Sequence, residues 1–344
     1  MKKIATGLIG FGMGGQIFHA PLLAGDGGFA LKAVSGSRFA EFSGAYPGTA
    51  QASGEAIIDD RAIELVVITT PNATHGALAR SALLAGKHVV VDKPFCLSSG
   101  EAQQLVDLAR ERGLMLSVFH NRRWDGDFLT AKALLRDGTL GTMVSFESNY
   151  DRYRIAIRDN WKETQEEGGG LLWDIGAHLV DQAVELFGVP AGWSGDFRRT
   201  RPGAQTPDDI EIRLDYSPTL RVTLRAAMVR ARPGPRFVVH GLKGSYVKFG
   251  KDPQEKDLQT SDLKTGRSLR DPRWGCEDPA LWGSLLLAQA DGIDERRLPT
   301  QAGAYPSFYR QVAAAIRNGT PPPVDPASVI PIIRILEDLA QQAG

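Results

Sequence analysis

Cysteine is nearly absent from this 344-residue chain: Cys96 and Cys276 lie far apart and outside any CxxC spacing. That excludes a disulfide framework or a structural zinc site, so no metal is expected and both thiols are read as ordinary buried side chains. An excess of one charge is missing too. Forty basic residues balance forty acidic ones, with no run of five like charges. Neither a footprint for nucleic acid nor a polybasic patch for anionic lipid is present. Long apolar runs are also lacking, since no stretch of eighteen apolar residues occurs to span a membrane. The start, Met1-Lys2-Lys3-Ile4, sets basic residues before an apolar run. A glycine-rich turn ends that run after about eight residues, too soon for the core of a signal peptide. The expectation is a cytoplasmic enzyme.

The length and the 42% hydrophobic content allow a sizeable core and predict two domains. Over the first part, short Val/Ile/Leu runs alternate with helical patterns. The runs are Ile4 to Phe11, Ala30 to Ser35, Leu65 to Thr70, His88 to Lys93 and Met115 to His120. Apolar strands without polar alternation belong in a parallel sheet covered on both faces. Helices are predicted at Thr74 to Ala85 and Ser98 to Arg112, the second opening on a capping box of Ser98 and Glu101. This pattern predicts a doubly wound α/β domain over residues 1–122.

From residue 123 to 344 the texture is α+β. Strands are predicted at Val144 to Tyr150, Trp193 to Arg199, Ile210 to Tyr216, Arg221 to Met228, Arg236 to His240 and Ser245 to Phe249. Ile210, Ile212 and Leu214 alternate with Glu211, Arg213 and Asp215, as in an open, mostly antiparallel mixed sheet with one wet face. Residues 250–275 read as a polar surface loop, and helices close the chain at Phe308 to Asn318 and Val329 to Gln342.

Chemistry enters with Gly10-Phe11-Gly12-Met13-Gly14-Gly15, a G-x-G-x-x-G pattern directly after a strand and at the start of a helix. Its first glycine permits a tight turn, its second lets backbone approach a pyrophosphate, and its third lets helix and strand pack closely. The acidic residue that would bind an NAD ribose is missing at the end of the second strand, which reads Ser35-Gly36-Ser37-Arg38. Serines beside Arg38 suit a 2′-phosphate, with the guanidinium pairing with the phosphate or stacking on adenine, so NADP is preferred and NAD remains possible. The bland alternative makes Arg38 an exposed helix start.

Lys93, in Asp92-Lys93-Pro94, stands where a strand's carboxyl end would bring it to a nicotinamide. Thr70, Pro71, Asn72 and His75 are predicted to line the same cofactor site. Further on, a glycine run, Gly168-Gly169-Gly170, precedes Asp174 and His178. If a helix begins near Asp174, the carboxylate and the imidazole share one face, where the acid would tune the base. His120, Arg122 and Trp124 are further substrate candidates, Trp124 as an apolar wall. His19 is read as packing near the cofactor without chemistry, and His88 and His240 as structural.

Taken together, Gly10-x-Gly12-x-x-Gly15, Thr69-Thr70-Pro71-Asn72, Asp92-Lys93-Pro94 and Asp174-x-x-x-His178 resemble the glucose–fructose oxidoreductase/inositol dehydrogenase/rhizopine catabolism (Gfo/Idh/MocA) family. Within it, Phe119-His120-Asn121-Arg122-Arg123-Trp124 resembles the branch of NADP-dependent scyllo-inositol dehydrogenases. The resemblance implies a Rossmann domain followed by an open sheet for substrate, in a homodimer or homotetramer. It implies hydride transfer between nicotinamide and a sugar or polyol, with Lys93 on the reacting oxygen and His178 moving the proton. Asp174 would tune His178 or hold a neighbouring hydroxyl. The family's usual Glu-Lys-Pro is Asp-Lys-Pro here, and the Lys93–Pro94 peptide is expected to be cis. A non-catalytic NADP sensor, an NAD-dependent glycosidase and a reductase of non-sugar carbonyls are the competing readings.

Overall fold

Val/Ile/Leu runs without polar alternation can be buried only between two covering layers, and they form the first of two sheets. The computed structural model describes residues 2–260, 269 and 271–343. The first sheet contains β1 (Ile4–Ile9), β2 (Phe29–Ser35), β3 (Ala50–Gln51), β4 (Leu65–Ile68), β5 (His88–Asp92) and β6 (Leu116–Phe119). Their order is β3-β2-β1-β4-β5-β6, with every pairing parallel. The order reverses between β1 and β4, and in such sheets ligands bind outside the carboxyl ends at that point.

The helices α1 (Ala20–Asp26), α2 (Gly54–Asp59), α3 (His75–Leu84) and α4 (Ser99–Glu111) connect these strands. Ser98 is the N-cap of α4 with extended backbone, yet its hydroxyl makes no cap bond, contrary to the predicted capping box. The Glu101 carboxylate lies against α3, where a methyl on Gly76 would sit 2.0 Å from its Oε1.

Following α5 (Gly126–Arg136), α+β texture sets in with β7 (Met143–Asp151), α6 (Ala177–Phe187), β8 (Gly192–Arg198), β9 (Asp209–Asp215), β10 (Arg221–Ala227), β11 (Phe237–Gly241) and β12 (Gly244–Lys248). Then come α7 (Gln254–Thr260), β13 (Gly283–Gln289), β14 (Gly292–Leu298), α8 (Pro306–Asn318) and α9 (Pro326–Ala343). The second sheet runs β14-β13-β12-β11-β7-β10-β9-β8, parallel only between β7 and β10. Ile210, Ile212 and Leu214 are buried, as their alternation predicts. The opposite face carries charge: Arg225 reaches Glu211 and Glu147, each at 2.8 Å.

The chain divides into two compact units. One holds Met1–Trp124, Pro253–Trp274 and Ala304–Ile333; the other holds Asp125–Asp252, Gly275–Gly303 and Arg334–Gly344. Where the sequence suggests a single boundary at residue 122, the chain re-enters the first unit twice. Thus α8 belongs to the first unit, with Phe308 edge-on to Phe119 at 4.9 Å between ring centroids.

The stretch read as a loop contains α7, and residues 261–268 and 270 lie outside the described residues. Fully buried Gln254 anchors this helix. Its amide donates to the Trp124 carbonyl at 3.1 Å and accepts from the Tyr305 N–H at 2.8 Å and the Trp274 indole at 3.0 Å. A polar composition is thereby used up inside. Cys96 is buried as expected, but Cys276 is exposed.

One buried ion pair in the second unit gives a stability prediction. Lys248 and Glu277, both buried, meet at 3.0 Å, and Thr300 donates to Glu277 at 2.6 Å. Burial pushes the Glu277 carboxyl up despite the Thr300 bond and Lys248. Lys248→Met should cost about 3–5 kcal/mol near neutral pH, because it leaves an unpaired buried charge. The loss should shrink as pH falls, since Glu277 then takes up a proton and buries neutral. Denaturant melts of both proteins at pH 5 and pH 8 check this, and an equal loss at both would refute it.

Candidate active site

The first strand ends at a glycine turn whose members have different reasons for being glycine. Gly10 has φ +99°, and a methyl there would lie 2.7 Å from the Thr69 carbonyl. Gly15 is similarly enclosed, since a methyl there would lie 2.5 Å from the Gly10 oxygen. A methyl on Gly12 would meet nothing within 4 Å, so no packing among the described residues demands that glycine. Open space beside the second glycine, at the carboxyl end of a central parallel strand, is what close approach of a pyrophosphate requires. These residues fit a nicotinamide dinucleotide. The chain continues through a wide π-type turn, Gly14–His19, into α1.

Around this turn, Phe11 is buried edge-on against Phe39 at 5.2 Å and Tyr46 at 6.3 Å, so backbone is what it can offer a ligand. Met13 is exposed. Ser35 is half-buried, and Ser37 and Arg38 are exposed at the end of β2. Arg38 pairs with Glu41 at 3.1 Å, a carboxylate the sequence reading overlooked.

Two neighbouring loops close on the first. Thr69 donates its hydroxyl to the Gly10 carbonyl at 2.7 Å, joining the end of β4 to the glycine turn. Thr74 donates to the Pro71 carbonyl at 2.7 Å instead of capping α3. Pro71 is exposed, and Thr70 is half-buried with its hydroxyl 2.6 Å from that of Thr74. Asn72 is buried, and so is His75, whose ring spans two carbonyls: Nδ1 to Pro94 at 2.8 Å and Nε2 to Thr70 at 2.9 Å. His75 therefore ties the β4 loop to the β5 loop. Burial pushes its pKa down against the pull of those two carbonyls and of Asp92.

The β5 loop carries Lys93, half-buried, and the Lys93–Pro94 peptide is cis. Asp92 accepts the Lys93 backbone N–H at 2.7 Å and stands 3.7 Å from His19 Nε2. Burial alone would push the Asp92 carboxyl up, but His19, with Lys93 and His75 adding their charge, holds it at about 2. Asp92 also explains a glycine that the motif leaves free. A methyl on Gly14 would lie 2.6 Å from Asp92 Oδ2.

Of the residues read as substrate ligands near the end of the first unit, His120 and Arg122 are buried. The Arg122 guanidinium donates to Glu255 of α7 at 2.7 Å. Trp124 is half-buried and edge-on to Phe308 at 5.6 Å.

In the second unit, Gly168 and Gly170 have φ of +79° and +86°, and a methyl on Gly169 would press within 2.6 Å of the Thr164 carbonyl. A π-type turn, Leu172–Gly176, then leads into α6. Asp174 thus lies in the wide turn and His178, buried, in the first turn of the regular helix, rather than both in one α-helix. Asp174 accepts from Lys162 Nζ at 2.9 Å and faces Arg152 at 3.9 Å. Neither cation was legible as a site residue. Their only signal was the basic and aromatic texture of residues 150–162.

Comparison with known proteins adds to this geometry. The oxidoreductase family with an NAD-binding Rossmann fold matches residues 4–120, and the GFO/IDH/MocA C-terminal domain matches residues 128–247. The chain belongs to the GFO/IDH/MocA oxidoreductase family. Membership makes it an NAD(P)-dependent enzyme. The chain is 42% identical over 336 residues to the uncharacterised oxidoreductase YdgJ of Escherichia coli, covering 97% of this chain and 95% of YdgJ. It is 35% identical over 338 residues to the scyllo-inositol 2-dehydrogenase (NADP(+)) IolW of Bacillus subtilis, covering 98% and 93%. Among solved structures, the Bacillus subtilis oxidoreductase yvaA superposes with a TM-score of 0.93 at 34% identity, covering 99% and 96%. Among the described residues no helix is long and apolar enough to cross a membrane.

Proposed function

We propose that this oxidoreductase transfers a hydride between NADP(H) and a secondary alcohol or ketone of a sugar or polyol, with an inositol-like ring as the first substrate to try. The observation that carries the reading is the Asp92–Lys93 corner. It lies at the carboxyl end of β5 and presses through Asp92 on the turn whose Gly12 faces open space. The likeness to IolW, an NADP-dependent inositol dehydrogenase by name, supports the substrate class.

The bound coenzyme supplies the hydride acceptor, or the donor in the reverse direction. Gly10, Gly12 and Gly15 hold its pyrophosphate through backbone, and Ser35, Ser37 and Arg38 hold the 2′-phosphate. Lys93 donates a hydrogen bond to the reacting oxygen and stabilises negative charge developing there. His178 takes the hydroxyl proton during oxidation and returns it during reduction. Asp174, held by Lys162 and Arg152, orients His178 or a neighbouring substrate hydroxyl. The same reading carries a cytoplasmic homodimer or homotetramer, and light scattering measures the subunit number.

Purified protein should reduce NADP+ in the presence of scyllo-inositol or another member of a panel of inositols and sugars, followed by absorbance of the reduced nicotinamide. Coenzyme binding with no turnover of any polyol or sugar would sink the proposal. Coenzyme choice has its own test. Arg38→Ala should lower kcat/KM for NADPH about tenfold or more, as for a lost charge-assisted bond, and leave NADH nearly unaffected. Wild type using NADH tenfold better than NADPH would overturn that part.

A further inference from the structure

Three buried or half-buried polar groups of the first unit line up behind Lys93, and the mechanism above uses none of them as a partner. Tyr309 and His19 are fully buried, and the Tyr309 hydroxyl lies 2.6 Å from His19 Nδ1. The other ring nitrogen, Nε2, stands 3.7 Å from Asp92 Oδ2, too long for a hydrogen bond but within reach of charge. Asp92 Oδ1 in turn accepts the Lys93 backbone N–H at 2.7 Å. The Phe119 ring lies against the imidazole at 4.2 Å between centroids and excludes water from that side.

Burial and the nearby Asp92 charge push the Tyr309 phenol well above its ordinary value, so it keeps its hydrogen in its bond with His19 Nδ1. That bond turns Nε2 toward the carboxylate at an ion-pair distance, without a hydrogen bond. The glycine turn confines Asp92 as well, because the backbone of Gly14 leaves no room for even a methyl beside Oδ2. One carboxylate is thus held between the coenzyme turn and the imidazole while its other oxygen sets the first atom of Lys93.

We propose that His19, oriented by Tyr309, is a positioning residue for the reaction: it fixes Asp92, and through Asp92 the backbone from which the Lys93 ammonium reaches the substrate oxygen. The inference rests on the proposed role of Lys93. It assigns chemistry to a histidine whose place directly after a glycine turn suggests only packing.

The charged and titratable groups facing Asp92 are His19, His75, Lys93 and Tyr309. Removing His19 takes away the strongest influence opposing burial, so Asp92 should take up a proton at higher pH. Two variants test the proposal, His19→Gln and Tyr309→Phe, with Lys93→Ala as reference. Each is assayed for kcat, for the KM of NADPH and for the pH profile of kcat. His19→Gln should lower kcat about tenfold or more, as small misplacements of a reacting group do. The acid limb of its profile should move to higher pH, while the KM of NADPH stays within about twofold. Tyr309→Phe should shift both in the same direction by a smaller amount. A wild-type kcat and pH profile in His19→Gln would overturn the inference. So would a loss confined to the KM of NADPH. If His19→Gln does not fold, Tyr309→Phe decides by the same two readouts. Wild-type turnover in Lys93→Ala would bring down the functional reading instead.

Discussion

Lys93→Ala and His178→Ala are each expected to lower kcat by about a hundredfold or more and to leave the Kd of NADPH within about twofold. The size follows from what each side chain would do only as the bond breaks. As hydride arrives at the carbonyl carbon, or as the hydroxyl proton leaves ahead of the hydride in the oxidative direction, negative charge gathers on the oxygen. An ammonium already aimed there stabilises that charge without the reorganisation water would need. A base accepting the hydroxyl proton contributes about a hundredfold to ten-thousandfold. Neither contribution is made in the ground state, so the loss should fall on kcat rather than on KM. Coenzyme binding draws on the glycine turn, which neither substitution touches. Single-turnover kinetics with saturating coenzyme, plus titration of NADPH fluorescence, separate the two. Unchanged turnover in either variant would remove that residue from its role.

How far the sequence leads depends on the range of the interaction involved. β1, β2, β4, β5 and β6 were readable because an unbroken apolar run has few places to go in a folded chain. β3 was not, being two exposed residues. β14 hid differently. Asp294, Glu295, Arg296 and Arg297 leave little apolar pattern, and the whole strand is exposed or nearly so. Only Asp291-Gly292 signalled a hairpin there, and charge along an edge strand discourages unwanted pairing. The glycine turn, Lys93 and His178 are local motifs and could be named from spacing alone. His19 could not, since its phenol partner is 290 positions away. Lys162 and Arg152 met the same obstacle, for no spacing rule connects a 3₁₀ turn and a strand's end to Asp174. The helix read as beginning near Asp174 is present, but the part that holds Asp174 is π-type, which apolar period cannot tell from an α-helical turn.

Gly10→Ala and Gly12→Ala should part company, although the two glycines are separated by a single residue. At position 10 the backbone has φ +99°, and a methyl would sit 2.7 Å from the Thr69 backbone. A non-glycine residue in that conformation costs on the order of 1–3 kcal/mol before the clash with Thr69 is counted. Rigid backbone on the far side cannot give way as a flexible side chain could. Gly10→Ala should therefore lower the thermal midpoint and weaken coenzyme binding together. At position 12 the added methyl meets no described residue within 4 Å, so the folded chain should tolerate it with an unchanged midpoint. If that space belongs to a pyrophosphate, the methyl holds the phosphates away from the backbone N–H groups, and the Kd of NADPH should rise about tenfold or more. Calorimetry with and without NADPH reads both effects in one experiment. A Gly12→Ala protein that binds NADPH as tightly as wild type would show that no ligand approaches the turn there. The glycine turn would then be a packing device, however well its spacing fits.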